Sequence, residues 1–99
     1  MVFDKAKKMW ALQSKARAIQ GELKAMQFEG VELGGKVKVT VDGEQKVQSI
    51  EIDESLLDPS EKEAVQRFLK QAITSAITKS QQAAAQKMKG VAGDLGLGM

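Results

Sequence analysis

Apolar residues change their spacing twice along this chain, and each change marks a new element. In residues 3–26, Met9, Leu12, Ala16, Ile19, Leu23 and Met26 recur at alternating steps of three and four, the seam of an amphipathic helix. The repeat lasts about two and a half heptads, too short to specify a free-standing coiled coil. Good helix formers fill most other positions, and Gly21 is the weak point. Lys8 and Lys15 fall beside the seam. Trp10, Arg17 and Lys24 form a separate line at i, i+7 and i+14, away from it.

The middle of the chain alternates instead. Lys36-Val37-Lys38-Val39-Thr40-Val41 puts valines on one face of a strand and polar residues on the other. Asp42-Gly43 is the expected tight hairpin turn, and a return strand is predicted over residues 45–52. Val47 and Ile50 break the parity of that strand while Ile50 and Ile52 agree, which predicts a bulge near Gln48-Ser49. A third strand is expected at Glu29-Gly30-Val31-Glu32-Leu33, with Gly34-Gly35 as the turn after it.

The last helix has a clear start. Asp58 offers an N-cap, Pro59 suits the first helical position, and Ser60 with Glu63 is a competing capping box. Its apolar stripe runs through Val65, Phe68, Leu69, Ala72, Ile73, Ala76 and Ile77 to Ala83, Ala84 and Met88. Gly90 is the expected end, so the chain reads as one domain over residues 1–90 and a flexible Gly-rich tail over 91–99. The expected class is α+β: an N-terminal helix, a small antiparallel sheet of two or three strands, and a long C-terminal helix.

Charge sharpens this picture. The net charge of +2 over 99 residues hides a division. Residues 1–26 carry six basic and two acidic side chains, residues 27–57 three and seven, and residues 58–99 six and four. Basic helices therefore flank an acidic sheet. Cations near the end of the last helix complement its dipole, but Lys5, Lys7 and Lys8 stand at the unfavourable end of the first. Residues placed against a local preference point to a functional reason, and a polyanion would supply one.

Catalytic chemistry finds little to work with. The chain has no Cys and no His, which removes disulfides, thiolate metal sites and the commonest general base. No Ser-Lys motif accompanies Ser14, Ser49, Ser55, Ser60 or Ser80. Glu51 and Asp53 read as a solvated hairpin face, and Glu61 and Glu63 as dipole partners at a helix start. Gly30 with Gly34-Gly35 is not a phosphate loop, because no Lys-Ser/Thr helix start follows, and calcium-loop spacing is absent. No enzyme activity, metal, cofactor or small-molecule substrate is expected. No apolar run reaches membrane-spanning length and the first residues lack a signal-peptide core, so a cytosolic location is expected. Trp10 is expected to pack at a helix interface or along an arm, with stacking on a base as the alternative.

The hairpin carries a more specific signal. Gly35-Lys36-Val37-Lys38-Val39-Thr40-Val41-Asp42-Gly43, then Val47-Gln48-Ser49-Ile50-Glu51-Ile52-Asp53 and Leu56-Leu57, resembles the YbaB/EbfC family of bacterial nucleoid-associated proteins. Length, segment order and the Gly/Met-containing tail agree, so the resemblance spans nearly the whole chain. Glu54 departs from the Pro usual there, and the first helix is richer in Lys and poorer in Met and Gln than many relatives. The resemblance implies a small homodimer with sheets in its core and helical arms that clasp double-stranded DNA on the nucleoid, in nucleoid organisation or gene regulation. The candidate phosphate contacts are Lys5, Lys7, Lys8, Lys15, Arg17 and Lys24 on the first helix, and Lys79, Lys87 and Lys89 on the last. Leu12, Ile19, Leu23, Val39, Ile50, Phe68 and Ile73 are assigned to the core or a dimer interface. The rival reading is a protein–protein adaptor that docks a partner through its helical seam and tail.

Overall fold

The first periodic segment forms helix α1, Val2–Ala25, in a computed structural model that describes residues 2–94. Strands β1 (Gln27–Glu32), β2 (Val37–Asp42) and β3 (Val47–Ile52) follow, and helix α2 (Lys62–Asp94) closes the chain. The strands make one antiparallel sheet in the order β1-β2-β3. The molecule is long: its extents are 68 × 21 × 17 Å and its radius of gyration is 19.1 Å. A compact domain of this length would have a radius near ~13 Å.

Alternation decides which sheet face is buried. Val37, Val39 and Val41 are fully buried against α2, together with Leu56, Ala72 and Ala76. Phe28, Ile52, Phe68 and Ile73 are half-buried at the margin of this cluster. Among the described side chains of α2, Ala72, Ala76 and Ser80, spaced four apart, are those with no exposure at all. Small side chains there let the helix lie close on β1 and β2. The opposite sheet face is polar, and Lys38 pairs with Glu29 across the strands at 3.2 Å.

A second, smaller cluster joins the helices. Ile19 and Leu23 of α1 are buried with Val91 of α2, and Met26 and Ala84 pack beside them. This contact corrects the expected helix end. Gly90 does not stop α2, which runs on to Asp94. Glycine in a helix costs about 1 kcal/mol, and burial of Val91 against α1 offsets it. The rest of the expected tail, residues 95–99, lies outside the described residues.

The hairpin also differs from the expected tight turn. Gly43 has no left-handed backbone; the left-handed residue is Gln45, at φ 66°. Asp42 organises the wider connection: its carboxylate accepts the N–H groups of Glu44 at 2.8 Å and Lys46 at 3.0 Å. Gly43 is needed for another reason. Its N–H donates to the Leu23 carbonyl at 2.7 Å, and a Cβ there would stand 2.8 Å from the Leu23 Cα. Thr40 pairs with Ser49 but Val41 with Val47, so Gln48 is the bulged residue. Its side-chain amide donates to the second Asp42 oxygen at 2.9 Å. The bulge lies where the broken parity predicts it. At the start of α2, Asp58 prevails over the competing box. It accepts the Ser60 N–H at 2.9 Å and caps a 3-10 turn, Pro59–Glu61, that leads into the helix.

These hydrogen bonds make stability acid-sensitive. The Lys46 N–H above all, with the Glu44 N–H and the Gln48 amide, holds Asp42 below the ordinary carboxylate value of 3.8. Ser55 and Ser60 do the same for Asp53 and Asp58. A carboxylate depressed on folding stabilises the protein above its unfolded pKa, and that contribution disappears as pH falls through the folded value. Thermal melts should therefore be flat from neutral pH down to about pH 5 and fall steeply below about pH 4. Asp42→Asn should lose part of that acid dependence.

Candidate nucleic-acid interface

Exposure sorts the basic residues. From residue 4 to residue 18 every α1 side chain is exposed except the half-buried Ala11. Only the later part of the helix, at Ile19 and Leu23, is buried against α2. The earlier turns project as an arm of roughly 20 Å at 1.5 Å per residue. Lys5, Lys7 and Lys8 stand exposed on this arm, and Arg17 and Lys24 are exposed further along α1. Lys15 lines an open groove between the helices, opposite Gln86 and Lys87.

The α2 cations divide. Lys89 is exposed. Lys87 is held by Glu22 of α1 at 2.9 Å, so part of its charge is already neutralised. Lys79 reaches back to the sheet and donates to the Glu29 carbonyl at 2.8 Å. The structure thus brings Lys15 and Lys87 to one groove and sets Lys79 apart, against β1. Arg67 and Lys70, absent from the candidate set, are exposed and line a shallow patch with Gln71, Thr74 and Ser75. Their i, i+3, i+4, i+7 spacing was the available signal. Arg67 lies over the Phe68 ring, 4.8 Å from its centroid.

Of the positions assigned to the core or a dimer interface, two are exposed in the single chain. Leu12 is 45% and Ile50 48% exposed. Leu12 falls on the projecting part of α1. Ile50 is on β3, whereas α2 packs over β1 and β2. Neither belongs to the core of the single chain. Ile19, Leu23 and Val39 are buried within it. Trp10, expected to pack, is 74% exposed.

A model of the YbaB/EbfC DNA-binding family matches residues 2–95. The chain belongs to that family. Among similar proteins, a nucleoid-associated protein of Bradyrhizobium sp. (strain BTAi1) is 41% identical over 86 residues, covering 87% of this chain and 81% of the relative. A nucleoid-associated protein of Syntrophobacter fumaroxidans is 36% identical over 95 residues, covering 96% and 86%. The crystal structure of an uncharacterized protein from Helicobacter pylori has the same fold, with a TM-score of 0.60 at 24% identity, covering 96% of this chain and 99% of that one. The sequence resemblance to YbaB/EbfC and the α+β class are thereby established. The family is a DNA-binding family, not one of enzymes. Among the described residues of this YbaB/EbfC chain, no helix is long and apolar enough to cross a membrane.

Proposed function

We propose that this YbaB/EbfC chain binds duplex DNA as a homodimer, mainly through phosphate contacts with low sequence selectivity, and acts on the nucleoid in the cytoplasm. One observation carries the proposal: an elongated helical limb bears most of the exposed cations, while the exposed acids Glu29, Glu51, Asp53 and Glu54 lie on or beside the sheet. The α2 sequence supports it, with no acid between Glu63 and Asp94 and five basic residues in that interval. A duplex would meet the limb and be repelled by the sheet. Lys5, Lys7, Lys8, Lys15, Arg17, Lys24, Lys79, Lys87 and Lys89 are the proposed phosphate contacts; Lys79 also donates to the Glu29 carbonyl and Lys87 to the Glu22 carboxylate. Exposed Val47, Ile50 and Leu57 favour a dimer that covers β3, an edge strand of the sheet. The names of the relatives support the nucleoid setting.

The deciding experiment is an anisotropy titration with mixed-sequence duplex DNA across salt. With six or more phosphates contacted per dimer, affinity should fall at least about a thousandfold between roughly 50 and 200 mM salt. Salt-insensitive binding, or none at micromolar protein in low salt, refutes the proposal. Co-purification of a stoichiometric protein partner with no DNA retention would favour an adaptor instead.

A further inference from the structure

Trp10 is the chain's one tryptophan, and it is 74% exposed on α1. A large aromatic ring with one polar N–H is well suited to a contact surface, since its burial contributes more area than most side chains can. The surroundings indicate what it contacts. Trp10, Gln13, Ser14 and Arg17 line one shallow indentation, as their i, i+3, i+4, i+7 spacing requires. At 3.6 residues per turn, Ile19 lies about 180° and Leu23 about 140° around the helix from Trp10, so the ring faces away from α2. Asp4 and Glu22, the only acids of α1, lie about 120° away. Lys7, Arg17 and Lys24 are within about 60°. The face therefore carries the indole beside Ala6, with cations around it and no carboxylate.

We infer that this face of α1 contacts DNA bases in the major groove, with Trp10 as its apolar anchor and Gln13 and Arg17 as its hydrogen-bonding groups. The inference rests on the DNA-binding reading above and adds base contact to it. A single α-helix fits the major groove, about 12 Å wide. There an indole packs on thymine methyl groups, a Gln amide pairs with adenine and an Arg guanidinium with guanine. Phosphate contact would use at most the indole N–H and leave the apolar ring unused. A base-contacting Trp10 would add a modest sequence preference to an otherwise electrostatic grip.

The chain has one Trp and no Tyr, so its intrinsic emission reports this position directly. Duplex DNA added to the native protein at low salt should quench that emission, saturating together with the anisotropy of labelled DNA. Trp10→Ala should weaken binding on the order of tenfold, yet leave the slope of log affinity against log salt unchanged, because no phosphate contact is lost. Trp10→Phe should recover most of the difference. Circular dichroism should match for all three proteins, since the side chain is exposed. Unchanged emission beside saturated anisotropy overturns this inference and leaves the DNA-binding reading standing. An emission shift driven by protein concentration alone, with no response to DNA, overturns it in favour of contact between copies. Failure of the native protein to bind DNA at all overturns both.

Discussion

Gly30→Ala is expected to destabilise this protein severely, by about 3 kcal/mol or more. Gly30 is buried in β1, paired with Val39 of β2, on the sheet face that α2 covers. A Cβ there would overlap the Ala72 carbonyl oxygen and come 2.6 Å from the carbonyl carbon. Both partners are backbone, in the middle of a strand and a helix, so no rotamer change relieves the clash. The helix would have to lift from the sheet, separating Ala72 and Ala76 from Val37, Val39 and Val41, the residues that form the main core. Overpacking a core typically costs about 1–3 kcal/mol, and a rigid backbone contact belongs at or above the top of that range. Small domains have only about 5–15 kcal/mol in all. Gly21→Ala is the contrast: Gly21 is exposed in α1 and a Cβ there meets nothing within 4 Å. That change should stabilise by up to about 1 kcal/mol, through helix propensity alone. Chemical denaturation midpoints should therefore move in opposite directions for the same substitution. Equal midpoints would show that α2 does not press on the sheet at Gly30.

What was legible in the chain follows from the range over which each feature is decided. The alternation of Val37, Val39 and Val41 and the parity break between Val47 and Ile50 are local, and the sheet and its bulge follow from them. The start of α2 was equally local, since Asp58 meets Ser60 within one turn. The turn after β2 was misread because the constraint on Gly43 comes from Leu23, in a different element. The end of α2 was misread for the same kind of reason: Gly90 looks like a stop, and only the packing of Val91 on Ile19 and Leu23 keeps the helix going. Ile50 has the right type and parity for a core residue. Its exposure depends on which strands α2 crosses, and that is a tertiary choice. Within the candidate interface, the sign of the charge on each helix could be read directly. Whether a given cation was already engaged could not, because Lys79 bonds a carbonyl on β1 and Lys87 a carboxylate on α1.

The double reversal Lys7→Glu/Lys8→Glu separates function from stability, because binding should fall sharply while stability barely moves. Both lysines are exposed in the first turns of α1, a helix that begins at Val2. The helix dipole acts mainly within the first turn, so acidic replacements gain little there, and residues 7 and 8 lie i+3 and i+4 from Asp4, where like charges cost a few tenths of a kcal/mol. The variant should melt within about two degrees of the native protein. DNA binding should respond far more strongly. Each phosphate contact contributes about 0.9 to the slope of log affinity against log salt. Removing two per copy should flatten that slope by about 2 for one engaged arm and by nearly twice that for a dimer using both. The introduced carboxylates add repulsion, so affinity in low salt should drop on the order of a hundredfold or more. A reversal at Lys79 makes the comparison informative: its ammonium is already occupied by the Glu29 carbonyl, so Lys79→Glu should disturb the sheet contact more than it disturbs binding. Anisotropy across salt reads the first effect and thermal melts the second. If Lys7→Glu/Lys8→Glu binds DNA as tightly as the native chain, the projecting arm is not the contact and the cations of α1 are there for solubility.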